Sequence, residues 1–572
     1  EKYYEMPMDV EWALEKDKLY IVQARPITVL PPEWTLPEKD VIYTRGSLAE
    51  HLPNPVTPLF ATLGLEIVNR ASALLWIDMF GKSAKKLLPE NGAYTIINGY
   101  VYLSANSKPL LIAVKSLSPR SLRRALTNSV ARWETARKEF EDVIKQWEEK
   151  PMHMLNAHQI MEGIQTVFYG ACIYFTRIQL TLPAASISET LFTKFFQEAA
   201  RRAGITDTSV FLLGFDTIAL QAEKNLWSLS EWVKQNNTLN LYLQSNPTAK
   251  IAENFMSSVP PDEVSLEVWI EWKNRINQYF KEFGRTAYEF DFAYSTPQET
   301  LTPTFESIKT FVEGKVESPF LRQSKFEKHR KQAEEEILQH IGSSRKKLFL
   351  KLLHWAQETA PMRENAIYLM GMGHPLIRRM FHEISARLIR GGATSHIDDI
   401  YWLTKLELEK LIIQLDENIP LSDRRNLILE RKAELKKYQG YVPPAQLPEK
   451  KVKSISHAPQ KQKDGKTVLR GIGTSSGVVT ARACVLNSPA DFKNFQPGSV
   501  LVAVTTTPAW TPLFASASGI VTDIGGPLSH SSIVARECGI PAVMATHTAT
   551  RSIKNGQMIT VDGSEGTVTI DE

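Results

Sequence analysis

The chain holds 572 residues, with 67 Lys and Arg against 63 Asp and Glu for a formal charge of +4. That length gives three or four domains at ~150 residues each, and the near balance of charge, with no long basic run interleaved with aromatics, argues against nucleic acid. No run of about 18 apolar residues is present to cross a membrane, and three cysteines, Cys172, Cys484 and Cys538, lie far apart without CxxC spacing, which speaks against a disulfide framework or structural zinc and fits a reducing cytoplasm.

Residues 7 to 28 hold two apolar runs around the polar Glu15-Lys16-Asp17-Lys18, the pattern of a β-hairpin. Gln23 and Arg25 are two apart and share a face, and Glu11 on the first run can point to the same side. A carboxylate, an amide oxygen and a guanidinium on one face suit Mg²⁺ with nucleotide phosphates, though spacing alone favours an ordinary surface hairpin. Pro31-Pro32 and the charged stretch 37–40 mark a boundary. The proline-punctuated stretch 46–60 then leads into a helix; its Glu50 and His51 either line a pocket or pack among the prolines and leucines.

Residues 120 to 440 are mostly helical, with apolar residues at three-to-four spacing over 123–150, 154–182, 187–203 and 343–359. Their tryptophans belong mainly to the core, a subset lining a cavity between helices. The charged run 326–341 reads as a solvated face. Arg363-Glu364 precedes Gly371, Gly373 and Pro375, which imply a break in the helix. Two readings of the pair stand: a charged pair on a helix surface, or a base and a phosphoryl-binding cation near an acceptor. Met370 and Met372 are either pocket lining or core. Asp398 and Asp399, beside His396, read as helix caps rather than metal ligands. Between 443 and 465 the composition turns to Pro, Lys, Gln and Ser, that of a linker.

Beyond Arg470, short apolar runs near 471–481, 500–504, 541–545, 558–563 and 567–570 predict a mixed β/α unit of about 100 residues. Gly519-Ile520-Val521-Thr522-Asp523 reads as a buried strand, Gly525-Gly526 as a turn, and the stretch after them as a helix capped by Ser529 and closed by Gly539 and Pro541. His530 falls in its first turn, where free amides and the helix dipole steady a phosphate on an accessible imidazole. Cys538, just before the glycine, is a packing residue.

The string Gly-Gly-x-x-Ser-His-x-x-Ile-x-Ala-Arg-Glu-x-Gly-Ile-Pro from Gly525 to Pro541, written with its variable positions open, resembles the phosphohistidine (swivelling) domain of the phosphoenolpyruvate-utilising family. That family includes pyruvate phosphate dikinase, phosphoenolpyruvate synthase and the rifamycin phosphotransferases. The resemblance implies a multidomain chain: residues 1–34 as the tail of an ATP-grasp domain, 35–445 as a mainly α-helical acceptor domain, 446–466 as a flexible linker, and 467–572 as the β/α phosphohistidine domain. It also implies ATP and Mg²⁺ as cofactors, with Glu11 and Gln23 on the metal and Arg25 on phosphate. The 1–34 tail is too short for an ATP-grasp domain, so the chain is expected to be a piece of a longer protein that does not bind ATP productively alone. Since no TIM barrel for pyruvate follows His530, the resemblance gives the β-phosphate a small-molecule acceptor with apolar bulk, held near Arg363 and Glu364. AMP and inorganic phosphate leave, and neither nucleic acid nor membrane takes part. Where rifamycin-accepting relatives have a lysine four residues after the arginine, Ile367 stands here, which bears against rifamycin itself. The alternative is a phosphocarrier whose helical region docks another protein.

Overall fold

The two apolar runs at the start pair as β1 (Met8–Glu15) and β2 (Lys18–Pro26), an isolated antiparallel ribbon. Glu11 lies directly opposite Gln23, so the two share a face, and Asp9 lies opposite Arg25. The structure, a computed structural model, describes residues 8–15, 18–26, 33–46, 48–80, 88–106, 128–179, 181–199, 208–257, 259–314, 316–438, 441, 443–448, 460–461, 467–527 and 529–571.

A second sheet combines β3 (Val41–Thr44), β4 (Tyr94–Ile97), β5 (Tyr100–Asn106) and β6 (Gln446–Leu447) in the order β4-β5-β3-β6. Gln446–Leu447, at the start of the stretch expected to be a flexible linker, thus lies in a strand, while residues 449–459 and 462–466 of that stretch lie outside the described residues. Leu447 is buried opposite Tyr43, the Tyr100 hydroxyl donates to the carbonyls of Tyr438 and Tyr441, and the Tyr102 hydroxyl donates to that of Pro444. A waiting strand edge orders a polar segment by backbone bonds that composition does not reveal.

Helices follow in chain order: α1 (Leu48–His51), α2 (Leu65–Phe80), α3 (Ser129–Glu148), α4 (Ala157–Gln179), α5 (Leu182–Ala199), α6 (Ile218–Lys234), α7 (Asn237–Ser245), α8 (Thr248–Met256), α9 (Leu266–Phe283) and α10 (Thr302–Val312). After them come α11 (Pro319–His340), α12 (Ser343–Tyr368), α13 (His374–Arg390), α14 (Lys405–Asp416) and α15 (Arg425–Tyr438). One core joins α2, α3, α4, α12 and α13 through Ile67, Phe140, Ile164, Phe168, Ala366 and Phe381. A second joins α6 to α10 through Leu226, Trp269, Trp272 and Phe305. The stretch Phe60–Ile77 is long and apolar enough to cross a membrane, but Phe60, Leu63, Ile67 and Ala71 are buried in the first core, so it serves as a core helix.

The break after Arg363-Glu364 is present: α12 gives way to a 3₁₀ turn, Leu369–Gly371, and α13 starts with Pro375 in its first turn, where the missing N–H costs no bond. On α11 Glu327 and Lys331 are an exposed pair, but the face is only partly solvated. Arg330 stacks over Phe215, and Gln357 donates to Glu334.

The C-terminal unit is built on a nine-stranded sheet. Its strands are β7 (Gln460–Lys461), β8 (Thr467–Arg470), β9 (Ile472–Ser475), β10 (Val478–Leu486), β11 (Val500–Ala503), β12 (Gly519–Thr522), β13 (Ala542–Met544), β14 (Met558–Asp562) and β15 (Thr567–Ile570), ordered β7-β8-β15-β14-β10-β11-β12-β13-β9. The run β10 to β13 is parallel. Helices α16 (Thr511–Phe514), α17 (His530–Cys538) and α18 (Ala549–Ser552) complete it.

This unit rests on the helical region. The Thr507 hydroxyl is within 3.1 Å of the carbonyls of Ala287 and Tyr288, and Ser307 donates to the Pro512 carbonyl. Tyr288 inserts among Phe492, Trp510 and Leu513, while Ala515 packs into the second helical core. The two surfaces thus exchange side chains.

Candidate functional site

The buried strand β12 delivers the chain to Gly525, whose φ of 142° is open to glycine, and α17 starts five residues later. Ser529 holds the N-cap position, but its hydroxyl meets that of Ser532 at 3.1 Å rather than a backbone amide. Gly539, in the left-handed conformation, ends the helix as its sequence predicts.

His530 is 5% exposed, so the imidazole expected to be accessible is instead buried, against Glu364 of the helical region and against Thr511 and Phe514 of its own unit. Its Nδ1 lies 3.8 Å from Glu364 Oε2 on α12, its Nε2 lies 3.4 Å from the Thr511 hydroxyl on α16, and Phe514 packs edge-on at 6.1 Å between centroids. The Arg363 and Glu364 side chains are 13% and 11% exposed and 3.7 Å apart. They form no solvated surface pair. The structure therefore brings His530 and Glu364 together from positions 166 residues apart (530 − 364).

Further carboxyl groups crowd this pair. Burial pushes the Glu50 carboxyl of α1 up to about 7, Arg363 opposing the rise and Glu364 adding to it. Burial raises Glu189 of α5 as well, against the pull of Arg363 and Arg536. Glu537 of α17 is driven by burial up to about 8, with Glu364 adding and Arg322 opposing. Arg322 itself bridges to Glu223. Sequence reading missed Glu189 and Thr511, which no spacing ties to the histidine. Glu537 stood inside the quoted motif, but its burial depends on the partner surface.

Two cavities flank the cluster. A chamber of about 710 Å³ lies between the helical region and the C-terminal unit, with Glu189, Arg363 and Glu364 on one wall and Ser475, Arg536 and Ser564 on the other. Its volume falls within the range of small-molecule sites. A smaller apolar pocket of about 90 Å³ lies beside α1, lined by Leu48, His51, Phe168, Phe290, Met370 and His374 among others. Neither is lined by tryptophan. Met370 is thus lining, whereas Met372 is core. Ile367 packs against the main core. Arg378 is committed to Glu299, at 2.8 Å. Burial pushes the Cys538 thiol up to about 12, which suits packing and not nucleophilic attack.

Asp399 accepts from the amides of Ser395 and His396 and pairs with Lys432, a capping role. Among the described residues no group of three or more His, Cys, Asp or Glu could hold a metal ion. The hairpin residues Glu11 and Gln23 contribute none of the contacts of His530 given above, and the Arg25 side chain lies outside what the structure describes.

Residues 495–566, which contain His530, match the PEP-utilising enzyme mobile domain. Residues 182–364, ending at Glu364, match the rifampicin phosphotransferase fourth domain, and residues 1–42 match the pyruvate phosphate dikinase AMP/ATP-binding domain. The rifampicin phosphotransferase of Bacillus subtilis is 25% identical over 100% of this chain and 67% of its own length. The chain is similar to PEP-utilising phosphotransferases over its whole length. Another family relative, an uncharacterized phosphotransferase YvkC of Bacillus subtilis, is 25% identical over 100% of this chain and 68% of its own length. The chain spans about two thirds of these two relatives, and 13% of chondramide synthase from Chondromyces crocatus, to which it is 24% identical over 84% of its own residues. The Glu364–His530 contact joins the segment matched to the rifampicin phosphotransferase fourth domain with the one matched to the mobile domain.

Proposed function

We propose that the chain works in an ATP-dependent phosphotransferase of the dikinase type, His530 carrying the β-phosphate of ATP to a hydroxyl of a small organic acceptor, with one water consumed and AMP and inorganic phosphate released. One observation carries this reading: the imidazole lies beside the buried carboxylate of Glu364, which with Arg363 lines a ligand-sized chamber. A carboxylate beside Nδ1 favours the proton on that nitrogen, leaving the Nε2 lone pair for phosphorus. In the transfer the acceptor oxygen bonds phosphorus while the P–Nε2 bond breaks and its electron pair returns to Nε2. The hydroxyl proton passes to a nearby carboxylate, and Arg363 offsets charge on the phosphoryl oxygens.

The charging half of the cycle rests on the hairpin. Glu11 and Gln23, opposite each other, offer hard oxygen donors to Mg²⁺, and Arg25 offers a guanidinium to nucleotide phosphate. Bound Mg²⁺ would neutralise phosphate charge there, with the rest of the ATP-grasp domain of the full-length protein completing the nucleotide site. The acceptor occupies the chamber, whose size weighs against a helical region that serves only to dock another protein. Similarity to rifampicin phosphotransferases makes a rifamycin the first acceptor to try, although Ile367 supplies no ammonium to the phosphoryl group.

The test uses full-length protein with ATP labelled in the β-phosphate. Acid-labile, base-stable label is expected on the wild type and none on His530→Ala. A screen of rifampicin and other hydroxylated compounds then looks for the mass increase of one phosphoryl group. Equal labelling of the two proteins overturns the proposal.

A further inference from the structure

The face that α17 turns to the large chamber continues past His530 with Ile533, Arg536 and Glu537, at the three-to-four spacing of one helix side. The transfer step leaves Arg536 without a task. Its Nη1 lies 3.4 Å from the Thr474 carbonyl, which sets the guanidinium beside the chamber loop running from Gly473 to Ser476. Ser564, on the same wall, meets the end of that loop: its hydroxyl accepts from the Gly477 amide at 3.2 Å, so its own proton is left to donate. Glu189 and Glu537 both feel Arg536, but burial favours the uncharged form of each and pushes Glu537 up to about 8. The chamber is therefore less acidic than its carboxyl groups suggest.

We propose that the acceptor bears an anionic group, a carboxylate in its simplest form, which Arg536 and Ser564 bind while its hydroxyl is presented at His530. Six residues of helix separate His530 from Arg536, so the hydroxyl and the anionic group stand about 9 Å apart. Ile533, midway between the two on α17, meets the apolar part of the molecule. A guanidinium and a hydroxyl donor suit a carboxylate, whereas an ester or an amine in its place forfeits the charge-assisted bonds. The inference rests on the reading that the acceptor occupies the chamber and adds its class, a hydroxy acid.

The probes are ω-hydroxyoctanoate, whose extended length matches that spacing, its methyl ester and ω-aminooctanol; all three share the chain and hydroxyl and differ in the charge at the far end. Binding to full-length protein without ATP is followed by calorimetric titration and by the ¹⁵Nε signal of Arg536. The hydroxy acid is expected to bind about tenfold more tightly than the ester or the amine and to shift that signal. Arg536→Gln should abolish the preference and Arg536→Lys should keep part of it. The comparison of the three probes on wild-type protein stands by itself should either variant fold poorly. Equal affinity, absence of binding, tighter binding of the amine, or acid binding that leaves the Arg536 signal unmoved overturns the assignment. None of these measurements needs phosphoryl transfer. If ATP labels His530 while the acid shows no advantage, the hydroxy-acid class falls and the transfer reading stands; if the acid is preferred and His530 stays unlabelled, the transfer reading falls and the anion site stands.

Discussion

Glu537 follows His530 by two turns of α17 and faces Glu364 and Glu223 with only Arg322 and Arg536 to offset them. Its folded carboxyl, near 8, holds a proton more tightly than the ordinary value of 4.5. Proton uptake in that range favours the folded state, so its contribution is complete below about 4.5 and drains away as the pH climbs to about 8. Glu537→Gln, permanently neutral, is therefore expected to melt increasingly above the wild type between pH 5 and pH 8, with a constant gap beyond. Glu50 titrates in the same window but is present in both proteins and cancels in the difference. Parallel melting curves across that range would show the carboxyl to be ionised in the fold.

Helix α17 owes its length to its closing glycine. At φ of 68°, with no atom within 4 Å of an added Cβ, Gly539→Ala should cost about 1 kcal/mol through backbone strain alone. The urea midpoint is expected to fall by that amount with the slope unchanged, and a larger loss would mean a clash. Gly371 is different in kind: a Cβ there would stand 2.5 Å from the Ala287 amide, so the turn after α12 presses against the strip that receives Thr507. Elements of this sort were readable from residue order. The hairpin, the buried strand before the histidine, the start and stop of α17 and the break at Pro375 all follow from local rules about caps, glycines and proline. Segments 446–447 and 460–461 escaped the same reading because their order comes from a strand edge supplied by distant residues. The gathering of Glu50, Glu189 and Glu537 around Arg363 and Glu364 escaped it too, since each carboxylate is unremarkable on its own helix. The motif around His530 was recognisable, but not its burial, which joins Glu364, 166 residues away, to Thr511 and Phe514 nearby.

On the scale of the whole molecule the joint between the helical region and the C-terminal unit rests on Tyr288 and Thr507 from opposite sides. Tyr288→Ala removes a fully buried ring from the other unit's core and should weaken the joint by about 3 kcal/mol. Amide exchange is then expected to quicken over α16 and α17 while α4 keeps its protection; quickening everywhere would mean general loss of stability instead. One earlier feature sets a limit on any journey His530 makes between nucleotide and acceptor. Since β6 is fastened to one sheet and β7 to the other, only twelve positions of the sequence, 448–459, separate the two attachments. Twelve residues at full stretch span about 40 Å, so unless those strands peel away, two sites served by one histidine must lie within the arc that so short a leash can sweep.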